Sequence, residues 1–266
     1  MAAAACMQLI RPRVMADFSA AQPRPLRARR RAVHGVLLLD KALGLSSNQA
    51  LQVAKRLFRA EKAGHTGTLD PLASGLLPLC FGAATKFSQA GLDADKRYLA
   101  TLRLGVITTT GDLEGEIVKE MPVSATRAQL LAACAQLTGE TLQMPPMHCA
   151  LKHQGKALYE YARAGVAVQR EPRRISVSAI DVIDGALDVW RIDVRCSKGT
   201  YIRVLAEDIG KLLGCGAHLQ ALRRIGSGLQ SIDSAITLDA LTALDEAGRD
   251  ARLLRCDTLL GEAPLL

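Results

Sequence analysis

Gly64-His65-Thr66-Gly67-Thr68-Leu69-Asp70-Pro71-Leu72-Ala73-Ser74-Gly75 surrounds one carboxylate with turn-forming residues. Gly64 and Gly67 before it and Pro71 after it force turns on both sides of Asp70. Proline drives the residue before it out of the helical region, so Asp70-Pro71 starts a turn. A loop of this kind can hold an acid at the mouth of a cleft. On its own it equally describes an aspartate that only caps a turn.

Upstream of the loop, Val33 to Lys41 reads as a short buried strand. Ser46 or Ser47 then offers an N-cap for a helix reaching about Ala60. Leu51, Ala54 and Phe58 share one face of that helix, while Lys55, Arg56, Arg59 and Lys62 fall elsewhere. The cationic residues lead directly into Gly64-His65. Downstream, Lys96 to Leu104 alternates as a strand, with Tyr98, Ala100, Leu102 and Leu104 on one side. Thr126 to Gln129 forms a capping box for a helix ending before Gly139. Leu158 to Ala164 is a short helix stopped by Gly165. Ile175 to Ile183 and Leu187 to Cys196 flank Asp184-Gly185, a hairpin turn signal. Thr200 to Leu213 is a helix closed by Gly214. Hairpins mixed with separated helices predict an α+β fold with a long, largely antiparallel mixed sheet.

The 266 residues are 49% hydrophobic, enough for one large core, but only 3% aromatic. The longest apolar stretches, Val36 to Leu39 and the Pro-interrupted run from Gly75 to Ala84, fall short of the roughly 20 residues of a membrane helix. The expectation is a soluble, cytoplasmic protein with no membrane contact. Seven cysteines, an odd number without C-x-x-C spacing, predict reduced thiols rather than a disulfide framework. The net charge of +8 is uneven: residues 1–40 carry +5, residues 41–237 carry +6 and residues 238–266 carry −3. A basic core permits binding to a polyanion. The Arg- and Ala-rich start, with Asp17 as its single acid before residue 32, reads as a disordered basic arm. Its apolar run precedes its arginines, the wrong order for a secretory signal. Met7 and Met15 are alternative starts.

The string Gly-His-Thr-Gly-x-Leu-Asp-Pro-x-Ala-x-Gly resembles the active-site loop of the TruB-type tRNA pseudouridine synthases. Further motifs follow in order. Asp40-Lys41-x-x-Gly-x-Ser-Ser-Asn is similar to the family's N-terminal motif, and Thr85-Lys86-Phe87 follows the loop as it does in the family. Lys96-Arg97-Tyr98 sits where the family carries its active-site tyrosine. The run from Leu151-Lys152 to Tyr161-Ala162-Arg163 resembles the RNA-gripping insertion. Cys196 to Arg203 and Gly214 to Arg224 complete the set.

The resemblance implies an isomerase that flips a uridine out of the T-arm of tRNA and attacks it covalently through Asp70. Tyr98 would stack on the target base, and Arg203 would pair with Asp70. An aspartate of ordinary acidity is already ionised at neutral pH, so Arg203 is assigned to orientation. Tyr201 and Leu222 match pocket residues, and His65 matches a histidine that fills the space left by the flipped base. Lys41, Lys86 and Lys152, one in each of three motifs, are expected to contact RNA. No cofactor, metal or obligatory protein partner is expected, and the chain is read as a monomer. The expected layout is a basic arm at 1–32 and a catalytic domain at 33–237 with an insertion at about 145–175. Residues 238–266 are too few for the family's small RNA-binding PUA domain, which is expected to be absent or trimmed.

Ala42 stands where the family usually has Pro, and Cys149 where Ser is common. His148, Cys149 and His153 lack the partner that would complete a familiar metal set. No G-x-x-x-x-G-K and no G-x-S-x-G occurs. Two other readings compete: a non-catalytic RNA-binding or tRNA-folding module on the same scaffold, and a guide-RNA-dependent relative working in a multi-protein particle.

Overall fold

The structure is a computed structural model that describes residues 29–260. Most of the expected basic arm, including Met7 and Met15, lies outside the described residues, as do the last six residues. The end of that arm is not free. Arg31 forms a bridge with Ala60 and ion pairs with Glu246 and Asp250.

A ten-stranded sheet organises the molecule, in the order β14-β1-β3-β12-β4-β11-β10-β7. Its members are β1 (Gly35–Lys41), β3 (Ala73–Phe81), β4 (Lys96–Leu104), β7 (Gly139–Gln143), β10 (Arg173–Ala186), β11 (Val189–Cys196), β12 (Ala217–Ser227) and β14 (Ile236–Thr237). Two short strands, β2 (Ala63–His65) and β13 (Gln230–Ser231), pair beside β3 and β12. Only β1–β14 and β3–β12 run parallel. This is the expected α+β fold with a largely antiparallel mixed sheet. Two hairpins stand apart: β5 (Val106–Thr108) with β6 (Ile117–Glu120), and β8 (Lys152–His153) with β9 (Lys156–Ala157).

Helices α1 (Ser47–Leu57), α3 (Arg127–Gln136), α5 (Ile202–Leu212) and the short α6 (Leu238–Ala243) contribute to the main core, and α2 (Ser88–Asp93), α4 (Leu158–Arg163) and α7 (Glu246–Asp250) fill in the periphery. The run Val36-Leu37-Leu38-Leu39 is apolar throughout because both faces of β1 are covered. Leu37 and Leu39 enter the main core, and Val36 and Leu38 a smaller cluster with Leu76, Cys80 and Ala84. In β4 the alternation holds, with Tyr98, Ala100, Leu102 and Leu104 buried. Among the described residues no helix is long and apolar enough to cross a membrane.

Three local expectations change. Helix α1 stops at Leu57, short of Ala60, because Arg59 takes φ 51°. The hairpin turn falls at Leu187-Asp188, three residues beyond Asp184-Gly185. Gly185 stays within β10, opposite Trp190, at φ 147°. A Cβ there would sit 2.7 Å from the Trp190 Cα, so the glycine serves close packing rather than the turn. The third change is β3, an uninterrupted strand across Pro78 where the sequence suggested only an apolar stretch. The Pro78 carbonyl accepts from Thr66 N at 3.1 Å. In an extended strand a residue's N–H and C=O point the same way, so the missing N–H faces the loop and not β1.

Candidate active site

The Asp70 loop hangs between β2 and β3 and is held from below by the start of α1. Ser46 is the N-cap of that helix, in a full capping box with Gln49. This frees Ser47, whose buried hydroxyl donates to Leu69 O at 3.1 Å and accepts from Leu69 N at 2.7 Å. Leu69 is thereby locked into the core, and the next side chain is turned outward. The Asp70 side chain is 47% exposed. Gly44 N donates to Pro71 O at 2.8 Å, and Ala73 N to Asp70 O at 3.0 Å, closing the turn on both sides. β3 then passes β12 so closely that a Cβ on Gly75, at φ 103°, would lie 2.2 Å from Arg224 O. The family-like glycine at the end of the loop is required by this approach.

Arg203, on the first turn of α5, reaches Asp70 at 3.0 Å. Its side chain is 7% exposed, and both of its terminal nitrogens are engaged. Nη2 also donates to His148 O at 2.6 Å, and Nη1 to Thr110 O at 3.3 Å. On the far side Nη1 pairs with Asp112 at 3.3 Å. Asp112 was not singled out in the sequence. It is buried, accepts from the Thr110 hydroxyl at 2.5 Å and from Glu114 N at 3.0 Å, and sits in the turn linking β5 and β6. The signal that could have found it is Thr108-Thr109-Thr110-Gly111-Asp112, a hydroxyl-rich turn ending on an acid.

A cleft of about 360 Å³ opens beside Asp70, with Tyr98, Tyr201, Leu222, Cys149 and Arg224 in its walls. The structure thus brings five of the expected residues together: Asp70, Tyr98, Arg203, Tyr201 and Leu222. Burial raises the pKa of both tyrosine hydroxyls, so both stay protonated at neutral pH. His65 lies in β2, and burial lowers its pKa, which favours the neutral ring. Cys149, Ala150 and Leu151 form one rim of the cleft, tied down by the Arg203 bond to His148 O. His153 stacks edge-on against Tyr161 at 5.9 Å, and Cys149 is buried beside Tyr201. Among the described residues no His, Cys, Asp and Glu group is placed to hold a metal ion.

The expected lysines divide. Lys86 and Lys152 are exposed. Lys41 is fully buried, and its ammonium donates to Ala42 O at 2.9 Å and Leu45 O at 2.6 Å. It braces the turn below Asp70 from inside, which corrects the expectation of a surface RNA contact. Burial pushes its pKa down to about 8, against the raising pull of Asp70. Lys96, missed as a site residue, behaves alike. It is bonded to Gly91 O and Ala94 O, and burial takes it to about 8. Arg224, a third buried cation with no carboxylate partner among the described residues, was not singled out either. Its signal was spacing: in a strand, residue 224 shares a face with Leu222, already assigned to the pocket.

Comparison with known proteins agrees with this geometry. Residues 55–202 match the family described as TruB family pseudouridylate synthase (N terminal domain), and residues 203–260 the tRNA pseudouridylate synthase B C-terminal domain. The tRNA pseudouridine synthase B of Cupriavidus pinatubonensis is 62% identical over 247 residues, covering 92% of this chain and 78% of that protein. The Burkholderia mallei protein of the same name is 60% identical over 242 residues, covering 91% and 78%. Among solved structures, a Cbf5-Nop10-Gar1 complex superposes with a TM-score of 0.68 at 28% identity, over 91% of this chain and 68% of that one. A family match over more than half the chain and this level of identity establish that the chain belongs to the TruB family of pseudouridine synthases, isomerases that act on uridine.

Proposed function

We propose that the chain isomerises a uridine in the T-arm loop of tRNA to pseudouridine, with Asp70 as the covalent nucleophile. The observation that carries this reading is the asymmetry of Asp70. It is fixed by Arg203 on one side and open to the cleft on the other. The relatives' names supply tRNA as the substrate class. The reaction needs a flipped nucleotide, an attacking carboxylate, and a pocket in which uracil can detach, rotate and rejoin through carbon.

Flipping costs a few kcal/mol, and stacking on an aromatic ring returns roughly 1–3 kcal/mol. Tyr98 offers that ring, and Leu222 and Tyr201 offer further walls. His65, kept neutral, fits the role of a filler in the RNA stack. Arg203 orients the carboxylate as water leaves. Lys96 and Arg224 in the cleft wall, and Lys41 in the turn below Asp70, are bonded to backbone carbonyls with no carboxylate partner among the described residues, and their charge favours an RNA backbone. Exposed Lys86 and Lys152 extend that field outward.

The test is to incubate the purified chain with unmodified tRNA and map pseudouridine at single-nucleotide resolution, beside Asp70→Asn. One T-arm position should react, and the variant should bind tRNA without converting it. Near-normal turnover by Asp70→Asn would falsify the assignment. Activity on naked tRNA separates this reading from a guide-dependent one. A tRNA-folding assay with the inactive variant detects any role independent of chemistry.

A further inference from the structure

Arg224 is 1% exposed, yet among the described residues no carboxylate lies within ion-pair distance of it. Its neighbour Arg223, on the opposite face of β12, takes Asp40 instead. A buried guanidinium without a counter-ion is costly unless its N–H groups are satisfied. Nε donates to Leu76 O at 2.7 Å, and Nη2 to Gly67 O at 3.3 Å. Those two carbonyls bracket the segment that carries Asp70. The same guanidinium lies against the Tyr98 hydroxyl, and Tyr98 is its cross-strand partner in β4. One rigid planar group anchored on the central sheet therefore touches both ends of the Asp70 loop and the aromatic wall facing it.

We infer that Arg224 is a positioning residue, which fixes the Asp70 loop and Tyr98 relative to each other through its fork of N–H donors. The inference rests on Asp70 being the nucleophile. The two arginines play separate parts, since Arg203 holds the carboxylate and Arg224 holds the backbone on which it stands. A lysine cannot reproduce the second part, because it has one nitrogen where Arg224 uses two, Nε for Leu76 O and Nη2 for Gly67 O, held apart in one plane. A displacement of about 1 Å in a reacting group can cost on the order of 100-fold in rate.

Arg224→Lys keeps the charge and loses the fork. Arg224→Gln keeps a planar donor and has no charge to bury, so it tests the inference even if the lysine variant does not fold. Single-turnover rates, kcat and KM on unmodified tRNA are measured for both, beside Asp70→Asn. Both variants should lose about 10- to 100-fold in kcat while KM stays within about threefold. Wild-type kcat in Arg224→Lys overturns the inference, because charge alone would then suffice. A raised KM with unchanged kcat also overturns it, making Arg224 a binding residue. Normal turnover by Asp70→Asn would instead overturn the reading of the nucleophile. An inactive Asp70→Asn beside fully active Arg224 variants overturns only the positioning role.

Discussion

Two loops deliver a carboxylate to the same guanidinium and leave it in opposite states. The loop at residues 66–72 presents Asp70 to Arg203 at 3.0 Å with its side chain 47% exposed. The loop at residues 109–116 presents Asp112 at 3.3 Å with its side chain 9% exposed. Asp112 is saturated by a hydroxyl, a backbone N–H and Arg203, and its own carbonyl accepts from Thr108 at 2.7 Å. Among the described residues, Asp70 has Arg203 as its only side-chain partner. The difference shows how a reactive acid is held without being consumed. A second, fully bonded carboxylate neutralises the buried arginine, so that arginine can grip Asp70 from one side and leave its other oxygen to the cleft.

The comparison is open to direct attack. Asp70→Asn should lower turnover by at least about a thousandfold but change unfolding free energy by less than about 1 kcal/mol, since Asp70 itself is half exposed and the buried Arg203 keeps Asp112. Asp112→Asn should strike stability as well as rate. By stripping a buried arginine of its one buried carboxylate partner it should cost about 3 kcal/mol in urea unfolding and about 100-fold in single-turnover rate through loss of alignment. An Asp112→Asn protein as stable as the wild type would erase the distinction between the loops.

Ser47→Ala sharpens the comparison from below. It removes both hydroxyl bonds to Leu69, a loss of about 1–3 kcal/mol, and loosens the Asp70 loop alone. Turnover should fall by about tenfold while the Asp112 loop keeps its hydrogen-exchange protection. A uniform loss of protection across both loops would contradict that selectivity.

A smaller effect comes from the cations beneath the Asp70 loop. Lys41 and Lys96 titrate near 8 when folded and near 10.5 when unfolded. Between those values the unfolded chain binds more protons, so stability should rise with pH from about 8 to 10.5. Lys41→Met should flatten part of that rise in denaturation curves. Over the same interval the cleft loses charge, so the salt dependence of tRNA binding should be shallower at pH 9 than at pH 7. The smallest effect on turnover belongs to Gly185→Ala, remote from both loops. Placing a side chain at φ 147° against Trp190 should cost about 1–3 kcal/mol and leave kcat unchanged. A loss of activity there would mean that the sheet edge reports to the site.

Much of this was legible in the chain itself. The strand at Lys96–Leu104 followed from alternation, the helix starts from an N-cap at Ser46 or Ser47 and a capping box at Thr126, and the mixed α+β class from hairpins among helices. These are short-range effects, set by residues within one or two turns of each other. Motif order pointed to Asp70, Tyr98 and Arg203, and the fold brings all three to one cleft.

What the chain could not declare is which charges are buried together. Asp112 and Arg203 are 91 residues apart in sequence, and nothing local marks either as the other's counter-ion. Lys41 reads as a surface cation until β1 and the turn after it fold around its ammonium. Pro78 argues against a central strand until the N–H of Thr66, in the loop beside it, donates to the one carbonyl it presents. The two serines at 46 and 47 are equivalent caps in sequence, and only the arrival of Leu69 separates helix cap from loop anchor. Local propensity and motif spacing determined the elements and nominated the carboxylate. Long-range packing decided its partners, because desolvation and pairing of charge depend on neighbours that only the assembled sheet supplies.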